Sequence, residues 1–414
     1  MIRILAGQKA AKMIQRLASR GTNLVALEPG VRRIIQEVRR NGDRALRRYG
    51  EIWDGLTRDQ ALQIDEAEMA AAWETLASGT RKSLRAAAQN IRRFSQWQRP
   101  RSWTRSRRGI ALSQFVIPLD SIGCYVPGGR YPLVSTLLMT VIPAQVAGVR
   151  NIRVASPKPS AEVLAAASML GIREFYRVGG AHAVAALAYG TKTIARVDKI
   201  VGPGNAYVTT AKRLVCFDCS IDFLAGPTEA AVLSESGDPR FIAADLVSQA
   251  EHDPDALSIF ITTNQTLAEA VGGRMKELAN NNPIARQALK HHGAIFIAES
   301  RDQARHWANA LAPEHITVAR EDLPHIRNAG AVFVGDYSPQ AAGDYASGPN
   351  HVLPTSGQAR FRGGLSVVDF VKLVTVQELS RDGLRQIGKT VETLAHIEGL
   401  RAHANSVLVR SAHA

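Results

Sequence analysis

The sequence predicts an α/β protein: two incomplete Rossmann-like α/β domains with parallel sheets, plus small helical segments at the N- and C-termini. From about residue 115, short β-rich runs alternate with helical runs, which is typical of βαβ units. A second set of alternating runs follows beyond about residue 240. None of the glycine turns has the G-x-G-x-x-G fingerprint, so the standard dinucleotide-binding fold is not supported.

The first set of runs predicts strands separated by single helices. The strands are QFVIPLDSIGCYVPGG, NIRVASP, REFYRVGG, VDKIVGPGN and IDFLAGPTEAAVLS, and the helices are PLVSTLLMTVIPAQVAG, SAEVLAAASMLG, AHAVAALAYG and AYVTTAKRLVC. The glycine-rich turns YVPGGR, RVGGAH, VGPGNA and LAGPTE all stand at strand ends. Ligands collect at the carboxyl ends of strands in such sheets, so these turns predict a cleft.

The second set predicts helices at AADLVSQAEHD, QTLAEAVGGRMKELAN and DQARHWANALA, with strands at ALSIFITT, GAIFIAE, HITVA and AVFVGD. The opening MIRILAGQKAAKMIQRLASRG has no apolar core or cleavage site, so it predicts an amphipathic helix of the mature protein. From about Leu365 the chain predicts mainly helix. The predicted division is an N-terminal helical segment (1–21), a first α/β domain (22–124 and 229–364), a second α/β domain inserted into it (125–228) and a C-terminal helical segment (365–414).

The composition indicates a soluble globular protein. Of the 414 residues, 45% are hydrophobic and 21% are charged. No apolar run approaches the roughly 18 residues of a membrane span. Cysteines are few (Cys124, Cys216 and Cys219), which argues against a disulfide framework and fits a cytoplasmic protein. The C-x-x-C spacing of CFDC lacks a second pair, so buried thiols are expected there, with redox or metal chemistry as the alternative.

The formal net charge of +14 is concentrated in residues 81–108, which contain ten Lys and Arg residues and two Trp residues. Such a segment is compatible with nucleic-acid binding. However, Leu84, Ala88, Ile91 and Phe94 recur at helical spacing. A solvated helix that ends at Pro100, followed by a basic hairpin, is therefore the favoured interpretation. No membrane partner is expected.

Several polar motifs carry the chemistry. In LAPEHITV, Glu314 stands beside His315 inside an apolar run, and in VSQAEHDPD, Gln249 and His252 share one side of a helix at i, i+3 spacing. Asp344 and His351 lie in a long glycine-rich loop, and the tail EGLRAH adds Glu398 and His403. Gln, His, Asp and His are nitrogen and oxygen donors that suit zinc with positions left open for substrate.

Together, YVPGG, VGPGNAYVTTAKR, AGPTE, QAEHDP, LAPEH, GDYASGPNHVLPT and EGLRAH resemble the histidinol dehydrogenase family from about residue 120 to the C-terminus. The N-terminal third has no comparably diagnostic motif. The resemblance implies oxidation of L-histidinol to L-histidine through L-histidinaldehyde, a four-electron reaction that uses zinc and NAD. The alternative within the family is another small polar alcohol, such as a sulfonated diol. A zinc hydrolase and a nucleic-acid-binding protein are the remaining alternatives.

The resemblance also implies a role for particular residues. One zinc ion per subunit would be held by Gln249, His252, Asp344 and His403, and the acid/base pair would be Glu314 and His315. Substrate would contact Thr228, His351 and Glu398 together with the zinc ligands and Glu314, and NAD would contact Tyr125, His182 and Asn205. Family members are intertwined homodimers, so Glu398 and His403 would act in the partner's site. The first α/β domain would then carry the acid/base and metal residues, and the inserted domain the NAD side.

Two positions depart from the pattern that many members share. His182 replaces a Gln, which leaves its contact with NAD open, and Thr228 replaces a Ser but keeps the hydroxyl group.

Two successive oxidations need a base for an alcohol and a base for water. His315 fits the first role and Glu314 the second, whereas an idle surface pair is the alternative. Glu398 fits the substrate's ammonium group. For His351, a bond to a substrate oxygen and support of the zinc ligands both remain open.

Overall fold

The structure, a computed structural model, describes residues 2–21, 24–129 and 131–412. Within these ranges the strands form three sheets, which we call A, B and C. The strands are β1 (Arg3–Ala6), β2 (Gln63–Ile64), β3 (Trp103–Arg107), β4 (Ile110–Pro118), β5 (Ser121–Tyr125), β6 (Asn151–Ala155), β7 (Glu174–Tyr176), β8 (Lys199–Val201), β9 (Ser220–Ile221), β10 (Glu229–Leu233), β11 (Leu257–Thr262), β12 (Gly293–Ile297), β13 (His315–Val318), β14 (Ala331–Val334) and β15 (Val371–Leu379).

The helices of the described residues pack against the sheets and against one another. They are α1 (Gly7–Ala18), α2 (Glu28–Asn41), α3 (Asp43–Tyr49), α4 (Glu66–Thr75), α5 (Ser78–Gln98), α6 (Val134–Ala147), α7 (Ala161–Met169), α8 (Gly180–Tyr189), α9 (Ala206–Val215), α10 (Pro239–Ala250), α11 (Gln265–Ala279), α12 (Pro283–His292), α13 (Arg301–Leu311), α14 (Gln340–Tyr345), α15 (Arg381–Ile397) and α16 (Arg401–Ala412). In the part of the chain that is described, none of them has the length and apolar character needed to cross a membrane.

Sheet A has the strand order β1-β12-β11-β10-β13-β14, and neighbouring strands run parallel. Its central strands β10 and β11 are buried along their whole length. Such continuous apolar runs are expected where helices cover both faces of a parallel sheet. The α/β class predicted from the sequence is therefore confirmed for this half of the molecule.

Sheet B has the strand order β2-β7-β6-β5-β8-β9, in which only β2 runs antiparallel to its neighbour. The order reverses at β5, which lies between β6 and β8. Ligands in doubly wound sheets bind at such a reversal, outside the carboxyl ends of the strands. A ligand is therefore expected to bind at the turns that follow β5 and β8.

The sequence predicts a helical N-terminal segment (1–21), but the structure shows that this segment begins with a strand. Residues Arg3–Ala6 form β1, which pairs with β12 at the edge of sheet A, and only then does α1 begin. Inward- and outward-facing positions alternate along β1, which is the pattern of a half-buried edge strand. A four-residue strand is too short to stand out from the amphipathic helix that follows it.

The predicted domain division also differs from the structure. Residues 22–124 are predicted to join residues 229–364, but β2 pairs with β7 in sheet B. In addition, the apolar face of α2 packs against α8 in one core. Helix α2 buries this face against the nearest apolar helix, and sequence periodicity cannot identify that helix. The other boundaries remain predictions.

Two further differences between the predicted and the observed elements involve sheet C. The predicted strand QFVIPLDSIGCYVPGG is two strands, β4 and β5, which lie in different sheets. The C-terminal segment, predicted as mainly helical, begins with the nine-residue strand β15, which pairs with β4. The helix and basic hairpin predicted for residues 81–108 are present as α5 and the β3–β4 pair.

The cysteines carry no disulfide in the structure. Cys219 lies 3.2 Å from the carbonyl oxygen of Val197, and burial raises the pKa of Cys219 to about 12. Burial likewise raises the pKa of Cys124 to about 12. Thiols with such pKa values are poor nucleophiles and poor metal ligands, so the expectation of buried thiols is supported for Cys219, whereas Cys216 of the same motif is only partly buried.

Candidate active site

A cavity of about 430 Å³ lies where the carboxyl edge of sheet B meets the amino edge of sheet A; we call it the reaction cavity. Pro127 and Pro203, which follow β5 and β8, form one wall. The predicted site residues that line the cavity are Thr228, Gln249, His252, Glu314, His315, Asp344 and His351, with Asn205 at its border. Residues from widely separated motifs therefore converge on one space.

The route of the chain into this cavity differs from the sequence prediction. The run IDFLAGPTEAAVLS is predicted as one strand, but it divides into β9 of sheet B and β10 of sheet A. Pro227 has no backbone N–H and cannot donate to the hydrogen bonds between strands, which favours a break between β9 and β10. The LAGPTE turn therefore precedes β10, and Thr228 and Glu314 reach the cavity from the amino ends of strands.

Glu314 is buried and held by two hydrogen bonds. The hydroxyl of Thr228 lies 2.7 Å from Glu314 Oε2, and the backbone N–H of Glu229 donates to the same oxygen at 3.0 Å. Burial raises the pKa of Glu314 to about 7, against the opposing effects of His315 and these hydrogen bonds. A carboxyl group that titrates near neutral pH can take a proton from water and return it.

His315 lies between two carboxylates. Its Nδ1 is 3.8 Å from Glu314 Oε2, and its Nε2 is 3.3 Å from Asp344 Oδ1. Burial lowers the pKa of His315, but the charges of Glu314 and Asp344 outweigh burial, so the pKa is raised above its ordinary value. Nδ1 is buried and makes no hydrogen bond within the described residues. With the Nε2 hydrogen directed at Asp344, Nδ1 is the position free to accept a proton.

Gln249, at the end of α10, and Asp344, on α14, are in direct contact. Gln249 Nε2 donates to Asp344 Oδ2 at 2.9 Å, and Gln249 Oε1 lies 3.1 Å from the hydroxyl of Thr228. Burial raises the pKa of Asp344, but its contact with His315 prevails, so the pKa is lowered below its ordinary value. Asp344 is therefore ionised and available as an oxygen ligand.

His252 follows α10 and lines the same cavity as Gln249 and Asp344. An amide oxygen, an imidazole and a carboxylate are donors that zinc accepts. Across the described ranges, no group of three or more His, Cys, Asp and Glu side chains is arranged to hold a metal ion. The donor chemistry of Gln249, His252 and Asp344 is nevertheless of the kind that zinc accepts.

His351 supports the segment that carries Asp344. Its Nδ1 donates to the carbonyl oxygen of Asp344 at 2.8 Å, and its Nε2 lies 3.4 Å from the hydroxyl of Thr136. Burial lowers the pKa of His351, which keeps the ring neutral. His351 therefore holds the backbone at Asp344, and both roles that the sequence leaves open for it remain predictions.

A second cavity of about 510 Å³ adjoins the first; we call it the cofactor cavity. The predicted NAD residues Tyr125, His182 and Asn205 all line it. Pro127, Gly129 and Asn205 border both cavities. The two spaces are therefore neighbours at the carboxyl edge of sheet B, where a dinucleotide is expected to cross a doubly wound sheet.

His182 is buried and oriented by Asp54. His182 Nε2 lies 2.7 Å from Asp54 Oδ2, which also accepts the backbone N–H of Gly179 at 2.8 Å. The rings of Tyr49 and Trp53 stack 4.7 Å apart, and each lies 5.7 Å from the His182 ring. His182 therefore belongs to the packed wall of the cofactor cavity.

Tyr125 and Asn205 each have one polar group committed to the fold. The hydroxyl oxygen of Tyr125 accepts the backbone N–H of Gly180 at 3.1 Å, and burial raises the pKa of Tyr125 to about 12, so its proton stays available to a ligand. Asn205 Oδ1 caps α9 by accepting the backbone N–H groups of Tyr207 and Val208. Only the amide N–H groups of Asn205 remain for a dinucleotide.

Glu398 and His403 are not brought to either cavity. Glu398 ends α15 and His403 lies on α16, and both are exposed to solvent. Neither residue lines the reaction cavity or the cofactor cavity. That Glu398 and His403 serve a partner's site remains a prediction.

The sequence contains no signal for Trp53 and Asp54, although both line the cofactor cavity. They lie in the N-terminal third, in GEIWDG, where no diagnostic motif occurs. Their role depends on contacts with His182, which is 128 positions away from Asp54 along the chain. A single carboxylate without a nearby partner in sequence cannot be distinguished from a surface residue.

Known proteins resemble this chain along nearly its whole length. A family model described as histidinol dehydrogenase matches residues 18–411. The histidinol dehydrogenase of Methanothermobacter thermautotrophicus is 47% identical over 389 residues, covering 90% of this chain and 91% of that protein. That of Geobacter sulfurreducens is 45% identical over 392 residues, with 91% of each covered. The crystal structure of histidinol dehydrogenase from Elizabethkingia anophelis superposes with a TM-score of 0.94 at 33% identity, covering 99% of this chain and 98% of that one.

Proposed function

The chain belongs to the histidinol dehydrogenase family, and we infer that it oxidises L-histidinol to L-histidine with NAD as the electron acceptor. One structural observation carries the assignment of the site. Buried Glu314 and His315 stand side by side in a cavity that also holds Gln249, His252 and Asp344. A surface Glu–His pair, the alternative from sequence, would have neither the burial nor these neighbours.

Oxidation of a primary alcohol to an acid removes two hydrides, and two NAD molecules accept them in turn. His315 serves as the base in both oxidations, taking the hydroxyl proton at Nδ1 while Asp344 holds Nε2. After the first oxidation the aldehyde stays in the cavity. Glu314 then takes a proton from water as the water oxygen adds to the aldehyde carbon, and it gives this proton to the former carbonyl oxygen, which completes the hydrate. His315 releases the proton of the first oxidation to solvent and is then free to act as base in the second.

The cavity contributes to these steps by orientation. Thr228 and the backbone N–H of Glu229 fix Glu314, so its carboxylate does not swing toward His315. Holding reactants and base in a fixed geometry replaces several kcal/mol of entropic barrier, on the order of 7–11 kcal/mol in favourable cases. The two proton acceptors therefore act at neighbouring points on one bound substrate.

We further propose that zinc binds Gln249, His252 and Asp344 and is completed by His403 of the partner subunit. When bound, the ion would hold and orient the amino-imidazole substrate as a template. The donor chemistry of these three side chains and their shared cavity support this proposal. Zinc removal by a chelator is expected to abolish turnover, and added Zn²⁺ is expected to restore it. Activity that persists in metal-free protein would contradict the proposal.

A homodimer is the form in which Glu398 and His403 would reach a site. Exposed apolar side chains on sheet C and on the two C-terminal helices support an interface there: Leu112, Phe115, Ile117, Leu373, Val374, Val376, Leu379, Leu394, Ile397, Leu408 and Val409. In that dimer, Glu398 would meet the ammonium group of the substrate. Cytoplasmic localisation is part of the same proposal and is supported by the three free thiols.

The test of function is the rate of NADH formation by purified, zinc-loaded protein. Histidinol is expected to give two NADH per molecule consumed, whereas a sulfonated diol is expected to give far slower turnover. The assay also separates the remaining alternatives, because a hydrolase would form no NADH. Absence of histidinol turnover, or preference for the diol, would overturn the assignment.

A further inference from the structure

The turn between β8 and α9 separates the two cavities. It consists of Gly202, Pro203, Gly204 and Asn205. Pro203 lines the reaction cavity, and Asn205 borders both cavities. A ligand that extends from one cavity to the other must pass between this turn and the turn after β5. The conformation of residues 202–205 therefore affects how the two ligands meet.

A buried ion pair holds the start of this turn. Lys212 on α9 donates from Nζ to an oxygen of Asp222 and also to the carbonyl oxygen of Gly202, at 2.9 Å for the latter. Asp222 Oδ2 accepts the backbone N–H of Gly202 at 2.7 Å. Lys212 and Asp222 are only 2% and 5% exposed. Both backbone polar groups of Gly202 are thus bonded to a single ion pair that is sealed from water.

The other contacts of the turn leave it little freedom. Gly202 has a φ of +111°, and a Cβ atom there would lie 2.1 Å from the carbonyl oxygen of Tyr125, so the turn packs directly on the chain that leaves β5. At the far end, Asn205 caps α9. A buried ion pair is weak evidence for added stability, because desolvation offsets most of the attraction. What the ion pair contributes here is a fixed backbone conformation at Gly202.

We propose that Lys212 and Asp222 are positioning residues for hydride transfer: by fixing residues 202–205 they set the position of the dinucleotide relative to the substrate. Neither side chain lines the reaction or the cofactor cavity. The inference rests on the proposed function, in which NAD occupies the cofactor cavity and histidinol the reaction cavity. Their effect is exerted through Gly202 and Asn205.

The test is the double variant Lys212→Met/Asp222→Asn. It removes both charges together and keeps side-chain volume. The single oxygen of the introduced amide can still accept the N–H of Gly202, but the N–H of Phe223 loses its acceptor, and the bond to the Gly202 carbonyl is deleted. A misplacement of about 1 Å costs on the order of 100-fold in rate. We expect KM for NAD to rise and kcat to fall by about 10-fold or more each, with KM for histidinol nearly unchanged. The primary deuterium isotope effect on kcat should increase, since hydride transfer becomes slower.

A control is Arg301→Met/Asp322→Asn, because Asp322 is 1% exposed and neither it nor its ion-pair partners Arg301 and Arg305 line either cavity. The control should lose stability but keep its kinetic constants. Loss of stability without kinetic change in the Lys212/Asp222 variant would overturn the proposal. If that variant does not fold, Pro203→Gly, which loosens the turn and keeps the ion pair, must show the same kinetic signature. Failure of the proposed function is distinct, because the unaltered protein would then form no NADH from histidinol.

Discussion

Burial of Glu314 and the carboxylates beside His315 give these two groups pKa values that exposed side chains would not have. The pKa of Glu314 is raised to about 7 by desolvation, while that of His315 is raised because Glu314 and Asp344 outweigh desolvation. Glu314 can therefore exchange a proton with water near neutral pH, and the raised pKa makes His315 a stronger base for the hydroxyl proton. The motif LAPEH identifies the pair from sequence, but only the packing explains its chemistry.

The hydroxyl of Thr228 connects Glu314 with Gln249. Thr228→Val removes this hydroxyl at nearly constant volume and leaves the buried carboxylate with one hydrogen bond fewer, which typically costs about 1–3 kcal/mol. We expect kcat/KM for histidinol to fall about 10- to 100-fold. Thr228→Ser keeps the hydroxyl and should stay close to the original rate. Equal rates for the Val and Ser variants would show that the hydroxyl has no role.

Asp245 on α10 should make stability depend on pH. Burial raises the pKa of Asp245 to about 6, above a value of about 3.9 for an unfolded chain. The folded state therefore binds more protons between these values, and the free energy of unfolding falls as pH rises from about 4 to about 6. Above that range the buried charge costs about 1–2 kcal/mol, after allowance for its partial exposure.

Asp245→Asn should consequently raise the free energy of unfolding at neutral pH by about 1–2 kcal/mol and flatten its dependence on pH. Urea titrations at several pH values measure both effects. Asp336→Asn, at an exposed position, is the control and should leave the stability nearly unchanged. An Asp245→Asn variant that is less stable than the original protein at neutral pH would contradict the assignment of a costly buried charge.

At the scale of elements, the end of α1 is attached to the active-site strand β10. Arg20 donates from Nε to Glu229 Oε1 at 2.7 Å and pairs with the second carboxylate oxygen, while its Nη1 donates to the Leu311 carbonyl. Glu229 also accepts the backbone N–H of Ser356 at 2.9 Å. Arg20 therefore joins the N-terminal segment, β10 and the end of α13.

Arg20→Met should be strongly destabilising, because it leaves the carboxylate of Glu229 buried without its cation. The expected loss is about 3–5 kcal/mol in the free energy of unfolding, measured by urea titration. The double variant Arg20→Met/Glu229→Gln removes the orphaned charge and should recover a good part of the loss. If the single and double variants lose the same free energy, the carboxylate is not the cause.

Much of the element order could be predicted from the sequence, whereas sheet membership could not. Periodicity predicts helices such as α5 and buried strands such as β11, because local pattern reflects burial. It does not reveal that β4 and β5 separate into sheets C and B, or that β2 joins sheet B. Those outcomes depend on which distant strand has a free edge, and the spacing of apolar residues within a strand does not identify its partner.

The residues of the candidate site could likewise be predicted only in part. Glu314, His315, Gln249, His252 and Asp344 could be predicted because compact motifs carry them, and they share one cavity. Asp54, Lys212 and Asp222 could not be predicted, since each acts through a partner far along the chain or through a backbone group. Residues that touch the reactants leave sequence signatures more readily than residues that hold them in place.

At the scale of the whole molecule, two features of the surface favour a second chain. Apolar side chains are exposed on sheet C and on α15 and α16, and Glu398 and His403 lie outside both cavities. A symmetric dimer would cover the apolar surface and bring these residues to a second chain. The segment of strong positive charge, by contrast, forms α5 and an exposed hairpin that the proposed reaction does not require.

Mixing two inactive variants tests the shared zinc site most directly. His315→Asn should retain zinc and lose about 10²- to 10⁴-fold in rate, whereas His403→Ala should lose zinc. In a mixed dimer, the chain with intact His315 meets the partner's intact His403, so one of its two sites is complete. Refolding the variants together at equal amounts should restore about one quarter of the NADH-forming activity. Differently tagged chains show whether mixed dimers form. Mixed dimers that form but stay inactive would contradict a site built from two subunits.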